Sequence, residues 1–182
     1  MLLFDYKPLL NLPFDIQRDW LAELHSATPT EQGTFRLIGI RRTKPKSFEE
    51  QRLIVLAVDE NGLPLPGVMV AFAYSTAHPY LVDEKFLWQP PSPRRADIFP
   101  TRGSGEIEHI QGSVVQAGEP GGVTVCILEP EYSSDVVTGA GMLADHTGLY
   151  LVFQLRRTGV EPIVERLARL EAEVAVLKTA HP

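Results

Sequence analysis

The sequence predicts an all-β domain, a two-layer sandwich or a barrel, with an N-terminal arm and short helix before it and a coiled-coil helix after it. Three observations carry that expectation. Six segments, Phe35–Thr43, Arg52–Val58, Val68–Tyr74, Gly105–Ile110, Val123–Leu128 and Leu149–Arg156, are short, rich in β-branched or aromatic residues, and bounded by Gly, Pro, Asn or Asp. Almost no helical periodicity separates them, which is the pattern of sheets packed on sheets. The chain of 182 residues, less a terminal helix, leaves one domain of about 150 residues, able to bury roughly 70% of its unfolded surface without disulfide staples. The expected units are residues 1–33 for the arm and short helix, 34–158 for the β domain and 159–182 for the coil.

Taken in order, Leu2 to Pro13 is dense in leucine and broken by Pro8 and Pro13, so it reads as an extended apolar arm seeking a surface on its own domain or a neighbouring subunit. Asp15 to His25 places Ile16, Trp20, Leu21 and Leu24 on one helical face, and Ser26 to Gly33 is loop. The basic run Arg36, Arg41, Arg42, Lys44 and Lys46, followed by Glu49 and Glu50, reads as a solvated strand edge and loop. Asn61-Gly62 supplies a tight turn. Ala77 to Pro100 holds Pro79, Pro90, Pro91, Pro93 and Pro100, which exclude a central strand and leave a loop long enough to be functional or an intersubunit contact. The single cysteine, Cys126, lies in an apolar run and reads as a small buried hydrophobe. Gly139-Ala140-Gly141 reads as a turn.

From Val160 to Lys178 the chain reads as a coil. Val160, Leu167 and Val174 occupy heptad position a and Ile163, Leu170 and Leu177 position d. A parallel pairing brings Arg166 to Glu171 and Glu173 to Lys178 of the next chain, all opposite in charge. Val174 with Leu170 and Leu177 favours two strands, whereas Leu167 at a and Val164 at e favour three, and the run Arg166 to Glu171 resembles the pattern of short trimeric coiled coils. The trimer is the expected state and the dimer its alternative, with a helix lying on its own domain as the competing reading; Pro162 suits the first helical turn.

The net charge of -6 and pI near 5.4 argue against a nucleic-acid binder. No run approaches the ~18 apolar residues of a membrane span. Met1 to Pro13 lacks a basic leader region and a small-residue cleavage site, so synthesis in the cytoplasm without a signal peptide is expected. No P-loop, dinucleotide fingerprint or nucleophile elbow is present, and no cofactor is expected.

His25, His78, His109, His146 and His181 show no spacing that sets two ligands on one helix face. Glu108-His109 and Asp145-His146, with Asp135, could converge on a divalent ion from separate loops, although strand neighbours point to opposite sides. The better lead is aromatic. Tyr74, Tyr80, Phe86, Trp88 and Phe99 border the long loop with Gln89, Arg94, Arg95 and Asp97. A flat ring beside planar polar groups is the mixture that carbohydrate sites use, so Tyr80, Trp88, Arg94, Arg95 and Asp97 are the candidate ligand-binding residues. The competing reading has Phe86 and Trp88 pin the loop to the sandwich or to the next subunit. Tyr132 beside Ser133, Ser134 and Asp135 is a second candidate.

Val58, Asp59, Asn61, Gly62, Pro64, Pro66, Gly67, Val68, Val70 and Phe72 resemble the opening of bacterial Ig-like and carboxypeptidase-regulatory-like (prealbumin-type) β-sandwich modules. Thr101, Gly105 and Ile107, then Gly118, Gly122, Val123 and Val125, resemble their later parts. The resemblance spans roughly Arg52 to Leu128 and implies an Ig-like sandwich; the proline-rich loop is longer than in those modules, and the chain continues past their usual end. That continuation resembles accessory sandwich domains of glycan-degrading enzymes, which implies glycan binding rather than catalysis.

The function expected from these readings is a non-enzymatic homotrimeric structural or attachment protein of a phage particle or similar assembly. Its seam would be Ile163, Leu167, Leu170, Val174 and Leu177 with Arg166 and Glu171, and its arm would contact other assembly subunits. The rival is a glycan-binding module acting through avidity. A third reading is a metal-assisted hydrolase using His109, Asp145 and His146.

Overall fold

Some strands in this chain alternate large apolar residues with small or polar ones and others are apolar throughout, and the computed structural model shows where each set goes. It describes residues 22–42, 52–74, 81–82, 85–86, 96–110, 121–141, 148–159, 166 and 169–171. In chain order the strands are β1 (Glu23–His25), β2 (Gly33–Arg42), β3 (Arg52–Val58), β4 (Met69–Tyr74), β5 (Leu81–Val82), β6 (Lys85–Phe86), β7 (Ala96–Pro100), β8 (Glu106–Ile110), β9 (Val123–Ile127), β10 (Ser133–Ser134), β11 (Val136–Ala140) and β12 (Leu149–Arg157). The first sheet has the order β1-β11-β9-β4-β7 and the second β10-β2-β12-β3-β8, while β5 and β6 pair with each other. Residues from both five-stranded sheets share one core, among them Phe35, Leu37, Leu53, Val55, Leu151 and Phe153 from the second and Val70, Phe72, Val125 and Val137 from the first. The described chain is therefore almost entirely β, with two sheets packed face to face.

The centre of the second sheet is β12, antiparallel to β2 and parallel to β3. Its run Leu149 to Leu155 is buried throughout, as a strand covered on both faces requires. Leu149, Leu151, Phe153 and Leu155 enter the shared core, and Tyr150 and Val152 join Ile54, Leu56 and Val58 in a second cluster on the opposite face. A register shift between Val152 and Phe153, which passes over Ile38 of β2, keeps both alternations in phase.

The turn from β3 to β4 carries the chain between the sheets and is held by its own side chains. Asp59 Oδ1 accepts the N–H of Asn61 and of Leu63, both at 2.8 Å, and Gly62 takes φ +79°, a value that glycine adopts without steric cost. Thr101 closes the corner from the far side: its hydroxyl donates to Leu65 O at 2.6 Å and accepts from Val68 N at 3.0 Å. Gly105, at φ +75°, leaves no room for a Cβ, which would stand 2.8 Å from both Ala57 O and Pro64 Cβ. The two motif blocks read from the sequence thus meet as one corner.

Three expectations are corrected. The helix over Asp15 to His25 is, at its described end, the strand β1: Leu24 packs on the core while His25 faces Thr138, a period of two rather than 3.6. Ile16, Trp20 and Leu21 lie outside the described residues. The loop Ala77 to Pro100 contains β5, β6 and the edge strand β7; Pro100 sits at the end of an edge strand, where a missing N–H is tolerated. Gly139 and Ala140 belong to β11 rather than to a turn, with the register shifting between Val137 and Ala140. Gly121 donates to Gly139 O at 2.8 Å and passes so close that any Cβ would collide with the Ala140 carbonyl.

Candidate functional site

Where the margins of the two sheets meet, β7 and β8 bring together the only candidate ligand residue that falls among the described residues. Asp97 pairs in register with Phe72 of β4, so it and Phe99 point to the same side as Phe72. His109 of β8 comes across from the second sheet, its Nε2 3.8 Å from Asp97 Oδ2. The imidazole stacks on Phe72 with ring centroids 4.8 Å apart and planes 24° from parallel, and leans on Phe99 at 6.1 Å. Phe99 is 39% exposed, whereas His109 is buried. Burial lowers the His109 pKa from its ordinary value, against an upward pull from the Asp97 charge.

The arrangement is a buried imidazole of reduced basicity, a carboxylate beside it and an open phenyl face. Glu108, the neighbour of His109, faces the other way and pairs with Arg52 at 2.6 Å, as strand alternation demands. Tyr80, Trp88, Arg94 and Arg95 lie outside the described residues, as do Asp145 and His146.

Asp135 occupies a different place. Its Oδ1 accepts Ala27 N at 3.0 Å and Arg36 Nη1 at 2.7 Å, and its Oδ2 accepts Leu37 N at 3.0 Å. It is tied to β2, three strand spacings from β8 in the second sheet, or about 14 Å. Asp135 and His109 therefore do not converge on one ion, and among the described residues no group of three His, Cys, Asp or Glu is placed to hold one.

No family model, curated protein or solved structure matches the chain.

The second candidate, Tyr132 to Asp135, is a joint. Tyr132 meets Phe35 edge-on at 5.7 Å, Ser133 and Thr34 share a hydroxyl contact of 2.8 Å, and Ser134 accepts Ile127 N at 3.0 Å. The remaining buried acids are likewise committed: Tyr150 donates to Glu106, and Arg157 donates to Glu60 at 2.6 Å. Burial pushes the Cys126 thiol well above its ordinary pKa, which keeps it protonated and a poor nucleophile.

Of the coil residues, Arg166, Leu170 and Glu171 are described, and they are helical and exposed; Ile163, Leu167, Val174 and Leu177 lie outside the described residues. Leu170 is 41% exposed in the single chain. Among the described residues no helix is long and apolar enough to cross a membrane. The pairing of Asp97 with His109 was not legible beforehand, although the alternation in Ala96-Asp97-Ile98-Phe99 was the available signal for β7.

Proposed function

We propose that the chain is a non-enzymatic structural or attachment subunit of a phage particle or similar assembly, homotrimeric through its C-terminal helix. Its body on this reading is an Ig-like, prealbumin-type sandwich. The meeting of the Val58 to Phe72 block with Thr101 and Gly105 at one corner supports that assignment.

The observation that carries the oligomer is Leu170. A leucine at a seam position, helical and 41% exposed in one chain, gains on association a part of the about 1.5–3 kcal/mol that full burial of such a side chain contributes. Arg166 and Glu171, both helical and exposed, are the residues that a parallel neighbour would pair across the seam. Sedimentation at micromolar concentration is expected to report three times the chain mass of 20.2 kDa, falling to one chain for Leu170→Asp. A wild-type chain that sediments alone, indifferent to that substitution, would sink the proposal.

Phe99 favours a second reading, glycan binding at the β7–β8 margin multiplied by avidity. An exposed ring beside a carboxylate is what a sugar's C–H face and hydroxyls require. A polysaccharide pull-down lost on Phe99→Ala or Trp88→Ala would favour it; retention of every bound sugar by both variants would count against it.

A further inference from the structure

The first sheet has a second face that is too dry for its position. His25, Val136, Cys126, Ala71 and Ile98 form a register row straight across its five strands, turned away from the shared core. Of this face, Ala71, Ala73 and Cys126 are 0% exposed, Val136 3%, Thr124 4% and Thr138 6%. The outward side of an antiparallel sheet is ordinarily wet. These side chains are small, so whatever lies over them approaches the strands closely, and it belongs to the same chain.

We infer that this outer face is the seat of the chain's own N-terminal segment, residues 1–21. That segment leads directly into β1, the edge strand of the same sheet. Twelve of its 21 residues are apolar (Met1, Tyr6, Ile16 and Trp20, with Leu at six positions and Phe at two), against seven of 21 in residues 75–95, the linker that reaches the opposite edge at β7. Reach is no obstacle: 21 extended residues span up to ~70 Å, while four strand spacings amount to ~19 Å. Seating the arm covers its leucines and the Ala71–Cys126–Val136 row together, which accounts for two apolar surfaces at once. The inference concerns one chain and does not rest on the coil, so it can fail or stand without the trimer.

Cys126, the sole cysteine, lies in the middle of the row and serves as the probe. In the native full-length chain a water-soluble maleimide is expected to label it slowly. The full-length double variant Leu9→Asp/Leu10→Asp should label at least about tenfold faster, because the cover now opens locally, while Phe86→Asp/Trp88→Asp should leave the rate unchanged. Faster labelling in the second variant alone, or in neither, overturns the assignment. Should the arm variant fail to fold, oxidative cross-linking of Leu10→Cys or Leu12→Cys in the otherwise native chain decides. A link to Cys126 within one chain, kept in the Leu170→Asp background, supports the seat. Links only between chains, or none from either position, overturn it.

Discussion

Two margins of this molecule each hold an aspartate, and the two residues do different work. Asp135 is spent on the fold. Its two oxygens take two backbone N–H groups and one guanidinium, joining the strand β2 to the segment after β1 across sequence separations of about a hundred residues. Asp97 stands at the opposite margin against an imidazole at 3.8 Å, beside an exposed ring. There the corner is held instead by Thr101 and Gly105, a few residues along. A carboxylate that closes backbone donors is structural by its bonding; one set beside a titratable ring is placed to modulate it.

The largest test of that contrast is Asp135→Ala. Ala27 N and Leu37 N would lose their acceptor in a buried setting, and Arg36 would lose its counter-charge. Breaking a buried pair this way costs about 3–5 kcal/mol, a large share of the 5–15 kcal/mol typical of a domain. Urea unfolding should show the midpoint falling steeply, with Asp135→Asn, which keeps one acceptor oxygen, falling less. Equal stability of Asp135→Ala and the native chain would remove the distinction between the two aspartates.

Next in size is Thr101→Val, nearly isosteric but without the hydroxyl. It leaves Val68 N without that acceptor and Leu65 O without that donor, at about 1–3 kcal/mol for a buried unsatisfied group. The same unfolding measurement checks it. A loss under about 0.5 kcal/mol would mean that the β7–β8 margin is held by something other than this corner.

Thr101 and Gly105 were visible in the sequence because local punctuation announces local geometry: Asn61-Gly62, the prolines and the glycine each act on their own stretch of backbone. The long apolar runs announced β3, β4, β9 and β12 for the same reason. Asp135 was not legible, and it read as a possible ion ligand, because its donors Ala27 and Leu37 come from more than ninety residues away. β1 hid in a helical pattern since Ile16, Trp20, Leu21 and Leu24 fit a period of 3.6, and only pairing with β11 reveals a period of two at its end. The margin around His109 was half legible. Glu108-His109 on a strand had to face opposite ways, but the partner Asp97 sits within a proline-rich stretch whose short strand gave little rhythm.

The smallest expected effect is in pH. Burial holds the His109 pKa below its unfolded value while Asp97 partly offsets this. The unfolded chain therefore binds the proton first as pH falls. The contribution of His109 to stability is fully present above its unfolded pKa of about 6.5, and is lost as pH drops from there through the folded value. In Asp97→Asn the offset disappears, so the imidazole should titrate at still lower pH, read from its ring-proton chemical shifts. The pH range over which stability declines then extends further downward. If His109 instead titrates higher in Asp97→Asn, the carboxylate does not act on the ring through its charge, and the β7–β8 margin loses the feature that sets it apart from the Asp135 joint.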